Sequence, residues 1–166
     1  MPVMGSGGYD RAMGLLLGAT TTVHRILHTV SGGRWARRFP GGAVVVWLTV
    51  PGRRSGEPRT TPLLAARESA AADAAWVVAG SNGGQSKVPA WVFNARAATT
   101  GWLEVDGQRF EVAVTEVTDP GERERCYSQL VGVWRWFDGY ARRTAGVREI
   151  PVFRLTPGQG SLPAPA

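Results

Sequence analysis

Residues 43–67, AVVVWLTVPGRRSGEPRTTPLLAAR, decide the fold. Val44, Val45, Val46, Trp47 and Leu48 run in near-continuous apolar order, which predicts a strand over 43–50 covered on both faces. The polar run 51–58 is rich in glycine and proline and reads as a turn. Residues 59–67 read as a second strand, so the two pair as a hairpin. Hairpin connections argue against a doubly wound parallel sheet.

The pattern continues downstream. Residues 69–73 are small and polar and predict a turn before a third strand over 74–80. Residues 102–105 and 108–117 flank Asp106-Gly107, the strongest short hairpin signal in the chain. Residues 150–155 supply a last strand. About six antiparallel strands with helices outside fit a small barrel or a strongly twisted sheet, and closure removes exposed edges. Pro89 suits the first position of a helix running to Ala97. Asp119 is a helix cap, with Pro120 at the first position and Glu122 in the first turn, and this helix is expected to run to Trp136. Residues 158–166 read as a Pro/Gly-rich tail.

Upstream, residues 1–8 are Gly-rich and are expected to be disordered. They lack the basic start and apolar core of a signal peptide, so the expected location is the cytoplasm. Residues 9–39 read as one helix or two, with Met13, Leu16, Leu17, Thr20, Val23, Ile26, Leu27 and Val30 forming an apolar stripe. Ser31-Gly32-Gly33 should break it, and Arg34, Trp35, Arg37, Arg38 and Phe39 follow. Two readings apply: a helix packed on its own domain, or a basic amphipathic element resting on an anionic membrane surface. The expected organisation is a helical segment over 1–40, a folded domain over 41–157 and the tail.

Composition narrows the function. The chain has 166 residues, 43% hydrophobic and 19% charged, which suits one globular domain and excludes a disordered one. No apolar run approaches the roughly 18 residues of a membrane span. The net charge is +6, and it is uneven. Residues 1–56 hold Arg11, Arg25, Arg34, Arg37, Arg38, Arg53 and Arg54 against Asp10 alone, and the rest of the chain is neutral. A neutral globule with a basic leading segment is a poor nucleic-acid module.

Several chemistries lack their residues. There is no phosphate-binding GxxxxGK[ST] loop, no GxGxxG after a strand and no GxSxG elbow. His24 and His28 are the only histidines and have no acid or cysteine beside them to complete a metal site. Cys126 is the only cysteine and reads as core. Two loops and an aromatic group are left. Arg53, Arg54, Ser55, Gly56 and Arg59 combine guanidinium forks, a hydroxyl and open backbone, which suits a phosphate or carboxylate. A solvated arginine turn is the plainer reading. Ser81, Asn82, Gly83, Gly84, Gln85, Ser86 and Lys87 form a flexible loop whose glycines allow close approach to a flat ligand. Trp134, Phe137 and Tyr140, with Trp136 beside them, are either a core stripe or an aromatic wall over a ligand.

Three segments carry a resemblance. PGRRSGEPRTTPLL at 51–64, SNGGQSKVPAWVFN at 81–94 and REIPVFRL at 148–155 resemble the deazaflavin-dependent nitroreductase family of actinobacteria. The resemblance implies a six-stranded antiparallel split β-barrel of the FMN/F420-binding type, α+β and mainly β, with flanking helices. It implies that reduced coenzyme F420 passes a hydride to a quinone or nitroaromatic acceptor. Arg54 and Arg59 match phosphate-contacting positions, with Arg53 assisting. Thr60, Thr61, Pro62 and Leu63 match the segment beside the deazaflavin ring, and Ser81 to Gly84 match the second loop. Asn82 stands where members often carry lysine, which leaves Lys87 to supply that cation. Pro89, Trp91 and Asn94 match a motif that positions the second loop through its helix, with Trp91 counted among the cofactor contacts. Trp134, Phe137 and Tyr140 match the substrate wall, and Tyr140, Ser81 or water would supply the proton. An FMN-binding barrel and a non-catalytic F420 carrier are the alternatives. A homodimer, and a peripheral position on the inner face of the cell membrane, are compatible with the same resemblance.

Overall fold

The computed structural model describes residues 8–16, 44–71 and 73–158. Its strands are β1 (Val44–Pro51), β2 (Pro58–Arg67), β3 (Trp76–Ala79), β4 (Thr100–Val105), β5 (Gln108–Glu116) and β6 (Val152–Pro157). Its helices are α1 (residues 8–16), α2 (Ala90–Ala97), α3 (Pro120–Val133) and α4 (Trp136–Thr144), with a 3-10 turn at Asn82–Gly84. Every ladder is antiparallel, and the order β1-β2-β3-β6-β5-β4 closes through β4 onto β1. This is the expected six-stranded barrel with flanking helices. The apolar stripe beyond Leu16, the break at 31–33, His24, His28 and the cations at 34–38 lie outside the described residues, as do 1–7 and 159–166.

Two cores explain the pattern. Val46, Leu48 and Val50 of β1, Trp76 and Val78 of β3, and Phe153 and Leu155 of β6 fill the barrel, with α2 contributing Trp91, Val92 and Ala95. Outside the barrel wall, Val77 and Ala79 of β3 and Val152 of β6 meet Cys126 and Leu130 of α3 and Phe137 of α4. β3 is therefore buried on both faces, and so is β1 over Val45–Leu48. Arg154 on β6 ties the layers, bonding Glu68 after β2 and Glu122 of α3. The β4–β5 turn places Asp106 at φ 51 and Gly107 at φ 77, the left-handed pair that a two-residue hairpin needs. The Asp119 side chain accepts the Glu122 N–H at 2.8 Å, as its capping role requires.

One helix differs from expectation. Instead of running to Trp136, α3 stops at Val133, Trp134 is extended (φ −149), and α4 starts at Trp136. The break turns Phe137 into the outer core, where its ring meets Tyr127 and Tyr140 edge-on at 5.9 and 5.8 Å. Tyr127 Oη donates to Phe137 O at 2.7 Å and fixes the corner. Burial of one large side chain is worth about 1.5–3 kcal/mol, enough to offset the net loss of two or so helix hydrogen bonds at about 0.5–1.5 kcal/mol each.

Candidate functional site

The site begins where two strands part. β1 pairs β2 along its whole length, from Val44↔Ala65 to Pro51↔Pro58, but β2 pairs β3 only from Ala65↔Val78 to Arg67↔Trp76. That register, continued, would set Leu64 against Ala79 and Leu63 against Gly80. Neither pair forms; Gly80 N–H donates to Pro151 O at 2.8 Å, which carries the β3–β6 ladder one position past Ala79↔Val152, so the chain stays with β6 after its pairing with β2 has ended. Glycine at 80 lets α2 pack closely here, because a Cβ on Gly80 would lie 2.6 Å from Val92 Cγ2. Among the described residues no strand pairs the outer edge of residues 58–64. Peptide groups on such an edge are free to bond a ligand. Residues 58–64, with Thr60, Thr61, Pro62 and Leu63, and the loop after Gly80 thus lie beyond the end of the β2–β3 ladder, one on each side of the parting.

The cationic turn stands at the head of that edge. Gly52 N–H donates to Glu57 O at 2.8 Å, and Gly56, at φ +71, donates to Gly52 O at 2.7 Å. Ser55 Oγ accepts the Glu57 N–H at 3.3 Å. Gly52 is buried, and a Cβ there would press on Ser55 Oγ and Glu57 O. Arg53, Arg54 and Arg59 are exposed. The Arg53 guanidinium lies 4.9 Å over the Phe93 ring, and the Arg53 backbone N–H donates to Asn94 Oδ1 at 3.2 Å. Asn94 therefore braces the first loop. Arg54 and Arg59 have no ion pair among the described residues, so their charge is available to an anion.

The second loop is bonded at several points. Asn82, Gly83 and Gly84 have φ of 49, 61 and 76. Asn82 Nδ2 donates to Lys87 O at 3.0 Å and closes the loop, while Lys87 and Ser86 are exposed. Ser81 is buried. Arg148 donates Nη2 to Ser81 O at 2.8 Å, Nη1 to Gly80 O at 3.1 Å and Nε to Gln85 O at 3.0 Å. Burial pulls the Arg148 pKa down; Tyr127 and Asp10 oppose the shift. From α1, Tyr9 Oη donates to Gly83 O at 2.6 Å, and Asp10 accepts from Ser86 N and Oγ. The described part of the N-terminal segment thus packs on its own domain. Arg143 lies 3.6 Å over the Tyr9 ring, and burial raises the Tyr9 pKa against the pull of Arg143.

The aromatic residues divide. Tyr140 is half-buried and packs on Gly84, whose missing Cβ leaves room for the Tyr140 ring and backbone. Trp134 is half-buried against the outer core. Phe137 is 3% exposed and turned into that core, a support for Tyr140 rather than an open wall. Trp91 is also placed in a core, its ring 5.4 Å from Phe153, instead of at the parting, because its indole fills the barrel under α2. Sequence reasoning missed Tyr9, Asp10, Arg143 and Arg148 as partners of the second loop. The REIP segment containing Arg148 was the one available signal; the others lie too far away along the chain to leave a local mark.

Comparison with known proteins gives a consistent result. A family model described as F420H(2)-dependent quinone reductase matches residues 21–157. An F420H(2)-dependent quinone reductase of Mycobacterium tuberculosis is 29% identical over 136 residues, covering 81% of this chain and 87% of the relative. A solved F420-H2 dependent reductase aligns with a TM-score of 0.59 and 28% identity, covering 67% of this chain and 92% of its own. A second solved protein, described as a domain-swapped dimer, aligns with a TM-score of 0.62 and 26% identity, covering 81% and 93%.

Proposed function

Because the chain belongs to the F420H(2)-dependent quinone reductase family, we propose that it reduces a quinone with F420H2 between residues 58–64 and the loop 81–87. The parting of β2 and β3 beside a turn whose Arg54 and Arg59 have no ion pair among the described residues carries this reading. A flat, anionic coenzyme fits such a parting: it needs cations for its phosphodiester and a backbone edge for its ring. When bound, it supplies the hydride.

This chain's residues bind, orient and handle the proton. Arg54 and Arg59 hold the phosphate, Arg53 assists, and Ser55 Oγ and the Gly56 backbone shape the turn. The peptide edge of Thr60, Thr61, Pro62 and Leu63 fixes the ring plane. Ser81, Asn82, Gly83 and Gly84 form the facing wall, and Lys87 adds a cation at its rim. Tyr140 and Trp134 border the acceptor, with Phe137 bracing Tyr140 from the core. The Tyr140 or Ser81 hydroxyl holds or relays the proton that must follow the hydride. Trp91 acts through barrel packing. Nitroaromatics belong to the acceptor panel as a second class.

Fluorescence titration with F420, followed by mixing reduced F420 with menaquinone, tests the assignment. Saturable binding and quinone-dependent reoxidation are expected. Binding of FMN in place of F420 refutes the coenzyme, and F420 binding without reoxidation by any acceptor refutes the enzyme in favour of a carrier.

Two further readings accompany the main one. The N-terminal segment contacts anionic lipid, where a quinone resides; the charge imbalance of residues 1–56 supports this. No helix among the described residues is long and apolar enough to cross a membrane. Cosedimentation with anionic vesicles tests it, using Arg34, Arg37 and Arg38 changed to Glu. Deleting the whole segment is a poor test, because Tyr9 and Asp10 brace the second loop. Undiminished sedimentation refutes lipid contact. The expected assembly is a dimer, supported by the domain-swapped neighbour; a monomer mass at every loading concentration refutes it.

A further inference from the structure

We propose that Arg148 is the positioning residue that sets the shape of the loop 81–87, one guanidinium clasping both ends of the turn that faces the coenzyme. The proposal rests on the assignment of that loop to coenzyme binding.

The geometry starts at the end of α4. Ala145 N–H donates to Ala141 O at 3.0 Å, and Val147 and Arg148 N–H groups donate to Thr144 O at 2.9 and 3.0 Å. Gly146, at φ +74, reverses the chain between them. The Arg148 backbone is therefore anchored to the helix whose Tyr140 already packs on Gly84. From that anchor the guanidinium reaches Gly80 O and Ser81 O on one side of the 3-10 turn and Gln85 O on the other. Its remaining recorded bond goes to Glu149 O at 3.1 Å.

Two features make this a clasp rather than a chance contact. All four acceptors are backbone carbonyls, and no carboxylate pairs with Arg148 among the described residues. A half-buried cation without a counter-ion is costly unless its donors are matched, and here the planar fork matches carbonyls lying in several directions. The loop also needs an external hold. Three successive residues, one of them the non-glycine Asn82, occupy the left-handed region. Such backbone persists only where the surroundings over-determine it. Tyr9 and Asp10 each hold one point, at Gly83 and Ser86, whereas Arg148 holds the two ends together. Lysine cannot replace it, because one ammonium on a flexible stem cannot span both ends in a fixed plane.

The test uses full-length protein and the variants Arg148→Lys and Arg148→Ala. Amide hydrogen exchange is read on the coenzyme-free protein, and F420 affinity by fluorescence titration. In Arg148→Lys, amides of residues 82–87 are expected to exchange about tenfold faster or more, the worth of one charge-assisted hydrogen bond. Amides of β3 and β6 keep wild-type rates, and the F420 dissociation constant rises by a similar factor. Unchanged loop exchange in both variants overturns the proposal. Acceleration by the same factor in β3 and β6 also overturns it, since Arg148 would then serve global stability alone. Wild-type protein that fails to bind F420 overturns the coenzyme assignment instead; the exchange contrast in coenzyme-free protein decides the clasp separately.

Discussion

Replacing Gly84 by alanine should loosen the contact between the second loop and α4, and a second glycine supplies the control. A Cβ on Gly84 would lie 3.2 Å from Tyr140 Cα and 3.3 Å from both Tyr140 Cδ1 and Arg143 Cδ. Gly146 has nearly the same backbone, φ +74 against +76, but nothing within 4 Å of its Cβ position. Both substitutions force a side chain into left-handed backbone, at about 1–2 kcal/mol. Only Gly84→Ala adds an overpacking cost. Its nearest neighbour is helix backbone, which cannot swing aside, and insertions of this size cost about 1–3 kcal/mol. The expected loss is about 2–5 kcal/mol for Gly84→Ala and about 1–2 kcal/mol for Gly146→Ala. The difference corresponds to melting points about 3–10 °C apart for a chain of this length. Urea unfolding followed by tryptophan fluorescence measures both, with equal slopes required for the comparison. Equal losses in the two variants would refute the packing of Tyr140 on Gly84.

Other outcomes follow from the same geometry. Arg54→Ala and Arg59→Ala should each weaken F420 binding about 10- to 100-fold, the worth of a charge-assisted contact, with thermal stability unchanged; full affinity in the double variant would remove the cationic turn from the site. Trp91→Ala should cost about 3–5 kcal/mol of stability, as loss of a buried aromatic side chain does. A small stability loss accompanied by a large F420 defect would return Trp91 to the coenzyme site. Burial raises the Cys126 pKa, against the lowering pull of Arg154. Less thiolate is therefore present at pH 8 in the folded protein than in the unfolded chain. A disulfide reagent should react slowly in buffer and rapidly in urea, the folded rate still climbing at pH values where a free cysteine has levelled off. Equal rates in buffer and urea would refute the burial.

The barrel was legible because its signals are local or periodic. Continuous apolar residues at 44–48 marked a strand buried on both faces, Asp106-Gly107 marked the β4–β5 hairpin, and Asp119-Pro120 marked a helix start. Each depends on residues within one turn or one strand, where backbone sterics and capping act without reference to the rest of the chain. The end of α3 was not legible, because the break at Trp134 is set by where Phe137 can be buried.

For the candidate site the division is similar. The sequence by itself determined which chemistry is on offer: arginines and a hydroxyl in one turn, two glycines in another, and tyrosine at 140. Tertiary structure alone decided how those residues are arranged. The free edge of residues 58–64 exists because β2 and β3 stop pairing after Ala65↔Val78, while β3 continues with β6 through Gly80 and Pro151. The second loop keeps its shape through Tyr9 and Arg148, 74 and 67 residues from the groups they hold at Gly83 and Ser81. Trp91 and Phe137 were drawn into cores that competed for them. Contacts of that range form only after loop closure and burial have fixed the register, so no window of the sequence contains them.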